Sequence, residues 1–385
     1  MTSAYLDHAA STPMRPEAVA AMTAVLGESY ANPAASHRAG RQARRLLDDA
    51  RDQVAAAVGA EPGEVVFTSG GTEADNLAID GVVGALGGVA LCLATDHHAV
   101  LDPVRAAGGR TVPVDASGLV DLVALADELA ELRSGLPGVG APVVSLALVN
   151  NEVGTTQPLA EVAAVVRAVA PGAVLHADAV AAAAWVDLVP EVAAADLVSV
   201  SGHKVGGPKG IGALVVRTGC PLAPVMRGGG QERDRRSGTP NLAGAVGLAA
   251  ALTATVADRA TRVARVGGLR DRLVAGLRAT APGLMFTDAG PRQIANIVHA
   301  CLPGADSEAL LFLLDRAGVA ASAASSCASG AMEPSHVLAA MAVPTVLARG
   351  ALRLSLGWCS TDAEVEHALV VIPAVVGRLQ ERVAS

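Results

Sequence analysis

A lysine set among glycines directly after an apolar run is a place where an amine can be drawn out of water and offered to a carbonyl compound. Lys204 stands in such a place, in SGHKVGGPKGIG (201–212), behind the run DLVSVS. Desolvation favours the neutral, nucleophilic amine, which can form an imine with an aldehyde or ketone. Ser201 and His203 beside it offer hydrogen bonds to a phosphate; a solvated lysine in a glycine-rich loop is the alternative reading. Asp178 closes a second apolar run, AVLHAD, where a carboxylate can hold a protonated ring nitrogen or simply cap the next turn of the chain. Ser69-Gly70-Gly71-Thr72-Glu73 follows a third, VVFT, and opens a helical pattern. Its glycines would let the N–H groups of Gly71 and Thr72 approach an anion, although a plain glycine turn with Thr72 as helix cap suits the same residues. No Gly-Lys-Ser/Thr comes after it and no GxGxxG sits at this turn, which argues against a P-loop or a dinucleotide site. Of five cysteines, Cys327 lies in SSCASG, a Ser/Ala/Gly-rich stretch without apolar periodicity that reads as a mobile, exposed loop. Cys92 and Cys301 lie in apolar runs and, with Cys220 and Cys359, read as inert thiols. Five is an odd number and no CxxC pair occurs, so neither a disulfide framework nor a structural zinc site is expected.

These residues must be held by a large folded unit. The 385 residues are 51% hydrophobic and 17% charged, enough for an extensive core. The net charge of −8 disfavours nucleic acid or an anionic membrane as the main partner. The uncharged run Gly81–Thr95, 15 residues with four glycines, is too short to span a bilayer. No basic segment with an apolar stretch opens the sequence, so a cytoplasmic protein is expected. Apolar runs recur at 65 (VVFT), 89 (VALCLA), 111 (TVPV), 143 (VVSLALV), 173 (AVLHAD), 196 (DLVSVS) and 212 (GALVVR), separated by helical stretches. That alternation predicts an α/β fold with a mostly parallel sheet covered on both faces. A helix is predicted from Ser36, as N-cap, to Gly59, and another over 240–280. IANIVHA (294–300), DSEALLFLLDRAG (306–318), ALRLSLG (351–357) and a helix from about Thr361 predict a smaller α+β domain. Ligands of open parallel sheets sit at the strands' carboxyl ends, and five such ends here carry polar groups.

An imine-forming lysine, an acid for a pyridinium nitrogen and a glycine-led helix start for a phosphate together match the needs of pyridoxal phosphate. At these residues the chain resembles the fold type I pyridoxal-phosphate enzymes of aminotransferase class V, and among them the cysteine desulfurases of the NifS/IscS type. The likeness runs in order through YLDHAASTP (5–13), NPAASHRAG (32–40), FTSGGTEADNLAI (67–79), NNEVGTTQP (150–158), the SGHK stretch, GGGQERDRRSGTPN (228–241), SSCASGAMEPSHVL (325–338) and LRLSLG (352–357). It implies a large cofactor domain over 15–258 with a mostly parallel seven-stranded sheet, and a small domain from 1–14 and 259–385 that carries the cysteine loop. By the same resemblance Lys204 is the cofactor-linked lysine, Asp178 the partner of its ring nitrogen, and His97 the histidine that stacks on the ring and moves protons. Gly71, Thr72, Ser201 and His203 match the phosphate site, with Thr239 supplied across a homodimer. Asn151 matches the asparagine near the phenolic oxygen and substrate, and Arg353 the anchor of the substrate carboxylate. Cys327 matches the thiol that takes sulfur from L-cysteine as a persulfide and hands it to an acceptor, an iron–sulfur scaffold or a tRNA-thiolation protein.

Two positions depart from the family pattern: Ala181 replaces a usual glutamine, and Ala324 a usual glycine. A lost hydrogen bond of ~0.5–1.5 kcal/mol at Ala181 retunes the site without abolishing cofactor binding. Three other assignments remain open on the residues. One is another class V enzyme, such as a selenocysteine lyase, a C–S lyase or an aminotransferase, and one is a sulfur-relay scaffold without turnover. The third is a metal-dependent hydrolase built on Asp96, His97, His98, His176, Asp178 and His203.

Overall fold

The computed structural model describes residues 3–135, 140–287, 289–323 and 335–384. Its strands are β1 (Ala4–Tyr5), β2 (Val65–Thr68), β3 (Ala90–Leu93), β4 (Arg110–Val112), β5 (Val143–Ala147), β6 (Val174–Asp178), β7 (Leu197–Ser201), β8 (Gly212–Val216), β9 (Met285–Thr287), β10 (Ile297–Cys301), β11 (Val319–Ala320) and β12 (Ala351–Ser355). The seven apolar runs predicted between residues 65 and 216 form β2 to β8, and these make one sheet in the order β2-β8-β7-β6-β5-β3-β4. Only β8 runs against its neighbours β2 and β7. The connection 202–211 that joins it to β7 is shorter than the dozen or so residues a parallel crossover requires.

Val, Leu and Ala dominate both sheet faces because both are covered. Helices Arg38–Val58 and Leu159–Val169 and the first half of Leu242–Thr280 pack on one side. Helices Gly71–Leu86 and His98–Ala106 pack on the other. A second core joins the antiparallel sheet β12-β10-β9 to helices Ser307–Arg316 and Asp362–Ala384 and to the far half of Leu242–Thr280. Residues Ala4 and Leu6 belong to this second core, so the start of the chain is tied to its last third. Helix Leu242–Thr280 is long and apolar enough by composition to cross a membrane, yet half of its apolar stretch is buried. It packs on helices Pro16–Glu28 and Arg38–Val58, which accounts for its composition as that of a core helix.

The helix expected from Ser36 begins at Arg38, and its N-cap is His37, whose Nδ1 accepts the Gly40 N–H at 3.2 Å. It ends as predicted at Gly59, in the left-handed conformation (φ 66°) that glycine adopts without strain.

Candidate active site

The carboxyl ends of β2, β5, β6 and β7 meet the chain start and β12 around a cavity of about 330 Å³. Gly71, Thr72, His97, Asn151, Asp178, Ser201, His203, Lys204 and Arg353 all line it. Thr239 does not; it is exposed, within the 228–241 segment. Cys327 and Ala324 lie outside the described residues.

Lys204 ends a short 3-10 turn, Gly202–Lys204, directly after β7, and its Nζ donates to Ala9 O. Asp178 is the last residue of β6, paired in register with Ala147 and Ser199. It also caps the turn after β6, with Oδ1 accepting the Val180 N–H at 2.9 Å. Burial pushes its pKa up to about 6, against the pull of that N–H and of the Lys204 ammonium. Helix Gly71–Leu86 starts one residue before Thr72, so Gly70, not Thr72, is its N-cap. Its first N–H groups have no intrahelical acceptor. Close by, Ser201 Oγ is buried without a hydrogen-bond partner.

His97 caps helix His98–Ala106, its Nδ1 accepting the Ala99 N–H at 3.1 Å. That bond leaves the ring proton of the neutral form on Nε2. Burial, then the charges of Lys204, His98 and His336, lowers its pKa to about 4. His203 is lowered to about 4 by burial and by Lys204 and Lys209. His98 turns away, 3.4 Å from Asp102 and against the ring of His336. Arg353 is 3% exposed; one terminal nitrogen donates to Asn151 O and the other to Asp7 Oδ1, each at 2.8 Å. Ala181, Ala147 and Val149 give part of the wall an apolar surface.

Burial is the largest influence on the thiols of Cys92, Cys220, Cys301 and Cys359 and raises the pKa of each, so none of these four is disposed to be a thiolate. The hydrolase set does not assemble. His176 is held between Ser145 Oγ and Ser199 Oγ at 2.8 Å each, and Asp96 accepts the Leu93 and Ala147 N–H groups. Among the described residues no three His, Cys, Asp or Glu side chains are grouped to ligate a metal.

Sequence reasoning assigned no role to Asp7 and Asp75, which also line the cavity. Asp7 stands within the YLDHAASTP match, a signal that was available. Asp75 stands within the FTSGGTEADNLAI match, an equal signal, but an acid in the first turns of a helix ordinarily faces water, so nothing local marks it as buried.

The lysine after β7 and the acid ending β6 stand at adjoining strand ends of a mixed seven-stranded sheet. A family model for aminotransferase class-V matches residues 4–368, and the chain belongs to that family. An IscS-like cysteine desulfurase from Mycobacterium tuberculosis is 42% identical over 388 residues, covering 97% of this chain and 96% of its own. A NifS-like protein of known structure superposes with a TM-score of 0.89 at 31% identity, over 98% of this chain and 100% of its own. SspA, solved in complex with cysteine, gives 0.74 at 29% identity, over 92% and 99%.

Proposed function

We propose that this protein is a pyridoxal-phosphate-dependent cysteine desulfurase. It converts L-cysteine to L-alanine and passes the sulfur, as a persulfide on Cys327, to an acceptor protein of the iron–sulfur scaffold or tRNA-thiolation kind. The observation that carries this reading is the meeting of Lys204, Asp178, Thr72, Ser201, His97 and Arg353 around one cavity at the strand ends.

The residues present fit the cofactor. A buried hydroxyl without a partner, Ser201 Oγ, stands beside a helix start whose N–H groups are unspent, a suitable seat for a phosphate. A Cβ at Gly71 would lie 2.7 Å from Val180 Cγ2 and 3.5 Å from Ser201 Cβ, so glycine keeps this seat open. Thr72, Ser201 and His203 would hold the phosphate, Asp178 the ring nitrogen and Lys204 the aldehyde carbon. When bound, pyridoxal phosphate supplies a sink for the electron pair released at the substrate Cα.

The chain's own groups do the rest. Arg353 receives the substrate carboxylate, its guanidinium held in place from Asp7 and Asn151 O. Lys204 Nζ moves the Cα proton. His97 offers its Nε2 proton without carrying charge, since burial keeps the ring neutral. The Cys327 thiolate attacks the substrate Sγ; the S–S bond forms as the Cβ–Sγ bond breaks. Cβ is reduced and takes up a proton, Sγ is oxidised to the sulfane level, and alanine and one persulfide result. Thr239, exposed and away from its own cavity, is available to the phosphate site of a second subunit in a homodimer.

The test is to incubate the purified protein with pyridoxal phosphate, L-cysteine and a thiol reductant. Alanine and sulfide should appear in equal amounts, and C327S should stop both while keeping the visible absorbance of the bound cofactor. Borohydride should fix the cofactor to the peptide containing Lys204. Failure to take up the cofactor, or alanine release unchanged in C327S, overturns the reading.

A further inference from the structure

Beneath the cavity floor lies a group of buried side chains that the reaction above leaves unused. Asp75, on helix Gly71–Leu86, is 2% exposed and lines the cavity. Its Oδ1 has no hydrogen-bond partner and stands 3.7 Å from His176 Nε2, and the Ser199 hydroxyl lies near enough to act on the carboxyl. Ser199 Oγ continues to His176 Nε2 at 2.8 Å, and His176 Nδ1 to Ser145 Oγ at 2.8 Å. A hydrogen-bonded chain Ser199–His176–Ser145 therefore runs into the sheet from beside Asp75.

The elements packed on this helix bring few charges to Asp75. From β6 come Asp178 and the fully buried His176, from the turn after β3 comes Asp96, and from the turn after β7 comes Lys204. Helix His98–Ala106 brings its cap His97 to the same cavity, while its His98, Asp102 and Arg105 side chains reach solvent. Cys92 on β3 is buried and neutral. Strands β2, β5 and β8 contain no charged residue. The three acids differ in their donors. Asp96 accepts two backbone N–H groups and Asp178 accepts one and faces Lys204, whereas Asp75 accepts no backbone N–H and has only the nearby Ser199 hydroxyl. An ionised Asp75 would be a buried anion with a bare oxygen beside two other acids, a strongly unfavourable arrangement.

We propose that Asp75 is a positioning residue that stands as a neutral carboxylic acid, donating its proton to Ser199 Oγ. That donation sets the direction of the whole chain: Ser199 then donates to His176 Nε2, and His176 Nδ1–H donates to Ser145. The bare Oδ1 becomes a neutral carbonyl oxygen, the least costly atom to leave without a partner. Of the three buried acids Asp75, Asp96 and Asp178, Asp178 is the one beside Lys204, and no Asp75 anion then competes with it for a ring nitrogen. This last consequence rests on the cofactor reading above; the protonation of Asp75 does not. The burial that raises the Asp75 carboxyl well above its usual range agrees with it.

Two measurements decide it, and the first needs no cofactor. An acid neutral in the folded protein but ionised when unfolded lowers stability progressively as pH rises above about 4. The urea midpoint of cofactor-free D75N, relative to the unmodified protein, should therefore rise steadily between pH 5 and pH 8. The pH trend carries the test, so D75L, equally neutral, repeats it should the asparagine pack poorly. A difference that is flat or falls with pH in both variants overturns the proposal. In the cofactor-loaded protein, the pH midpoint of the visible absorbance change should be the same in D75N as in the unmodified protein, since neutral replaces neutral. D178N should move it by a unit or more, as loss of an adjacent charge does. A shift of that size in D75N also overturns the proposal. Failure of the protein to bind pyridoxal phosphate would sink the functional reading while leaving the first measurement decisive for Asp75.

Discussion

The segment 228–241 is held by an ion pair whose removal should be among the most damaging single changes outside the cavity. Glu232, Arg233 and Asp234 follow one another at φ 51°, 59° and 63°, a left-handed run without glycine that costs on the order of 1–2 kcal/mol per residue. Arg51 compensates from helix Arg38–Val58. It forms a two-pronged pair with Glu232 at 2.7 and 2.8 Å, bonds Val65 O at 2.6 Å and lies over the Phe67 ring at 4.7 Å. Glu232 also accepts the Phe67 N–H at 3.0 Å, and the two side chains are only 7% and 5% exposed. In E232A the guanidinium keeps its burial and loses its counter-charge, which costs about 3–5 kcal/mol. The exposed pair Arg44–Asp48 on the same helix, 60% and 49% exposed, should by contrast lose less than about 0.5 kcal/mol in D48A. Urea unfolding at one pH, with midpoints compared at unchanged slope, measures both. The double variant R51L/E232L should recover part of the loss, because it leaves no unpaired charge. If E232A and D48A cost the same, or if the double variant is worse than the sum of its parts, Arg51 is not what holds this segment.

Three further outcomes are expected from the geometry. G71A places a methyl group against Val180 and Ser201 and should weaken pyridoxal phosphate binding by about 5- to 150-fold, the equivalent of ~1–3 kcal/mol of overpacking, as read from absorbance titration. His176 and His299 are fully buried, and burial lowers them to about 3 and about 4; the unfolded chain takes up their protons near pH 6.5. Their contribution is thus whole above pH 6.5 and is lost as pH falls toward 4, so H299Q should flatten the acid limb of the stability–pH curve by up to ~1.4 kcal/mol per unit. The double variant C220S/C359S should deliver sulfur as the unmodified protein does, measured as sulfide released per alanine, because burial raises both thiols.

Local pattern reached far in this chain, and its failures have physical causes. The seven strands were readable because a sheet buried on both faces leaves uninterrupted apolar runs, and Gly59 marked a helix end through its backbone freedom. The antiparallel course of β8 was also available, since the 202–211 connection is too short for a crossover. Strand order was not: nothing in VVFT or GALVVR says that β2 lies beside β8 at the edge. The capping errors at Ser36 and Thr72 are shifts of one or two residues, within which a histidine ring or a glycine serves as well as a hydroxyl. Asp75 escaped notice for a deeper reason. Its meaning depends on which strands lie beneath its helix, and β6 and β7 reach it only after about a hundred residues or more of intervening chain.

Arg353 brings the same dependence to the other wall of the cavity. Alone, LRLSLG is a buried strand with an arginine that ought to be unwelcome. Its cost is met from two places far apart in the chain: Asp7, which enters with the strand start that pairs β1 to β11, and Asn151 O, at the turn after β5. The guanidinium is therefore fixed to both cores, and the Lys204 amine reaches Ala9 in the same N-terminal stretch. On the proposed reading, a substrate carboxylate held by Arg353 meets Lys204 beside one short peptide, residues 7–9, that touches both. The N-terminal segment thus belongs to the chemistry of the site as well as to the packing of the second core.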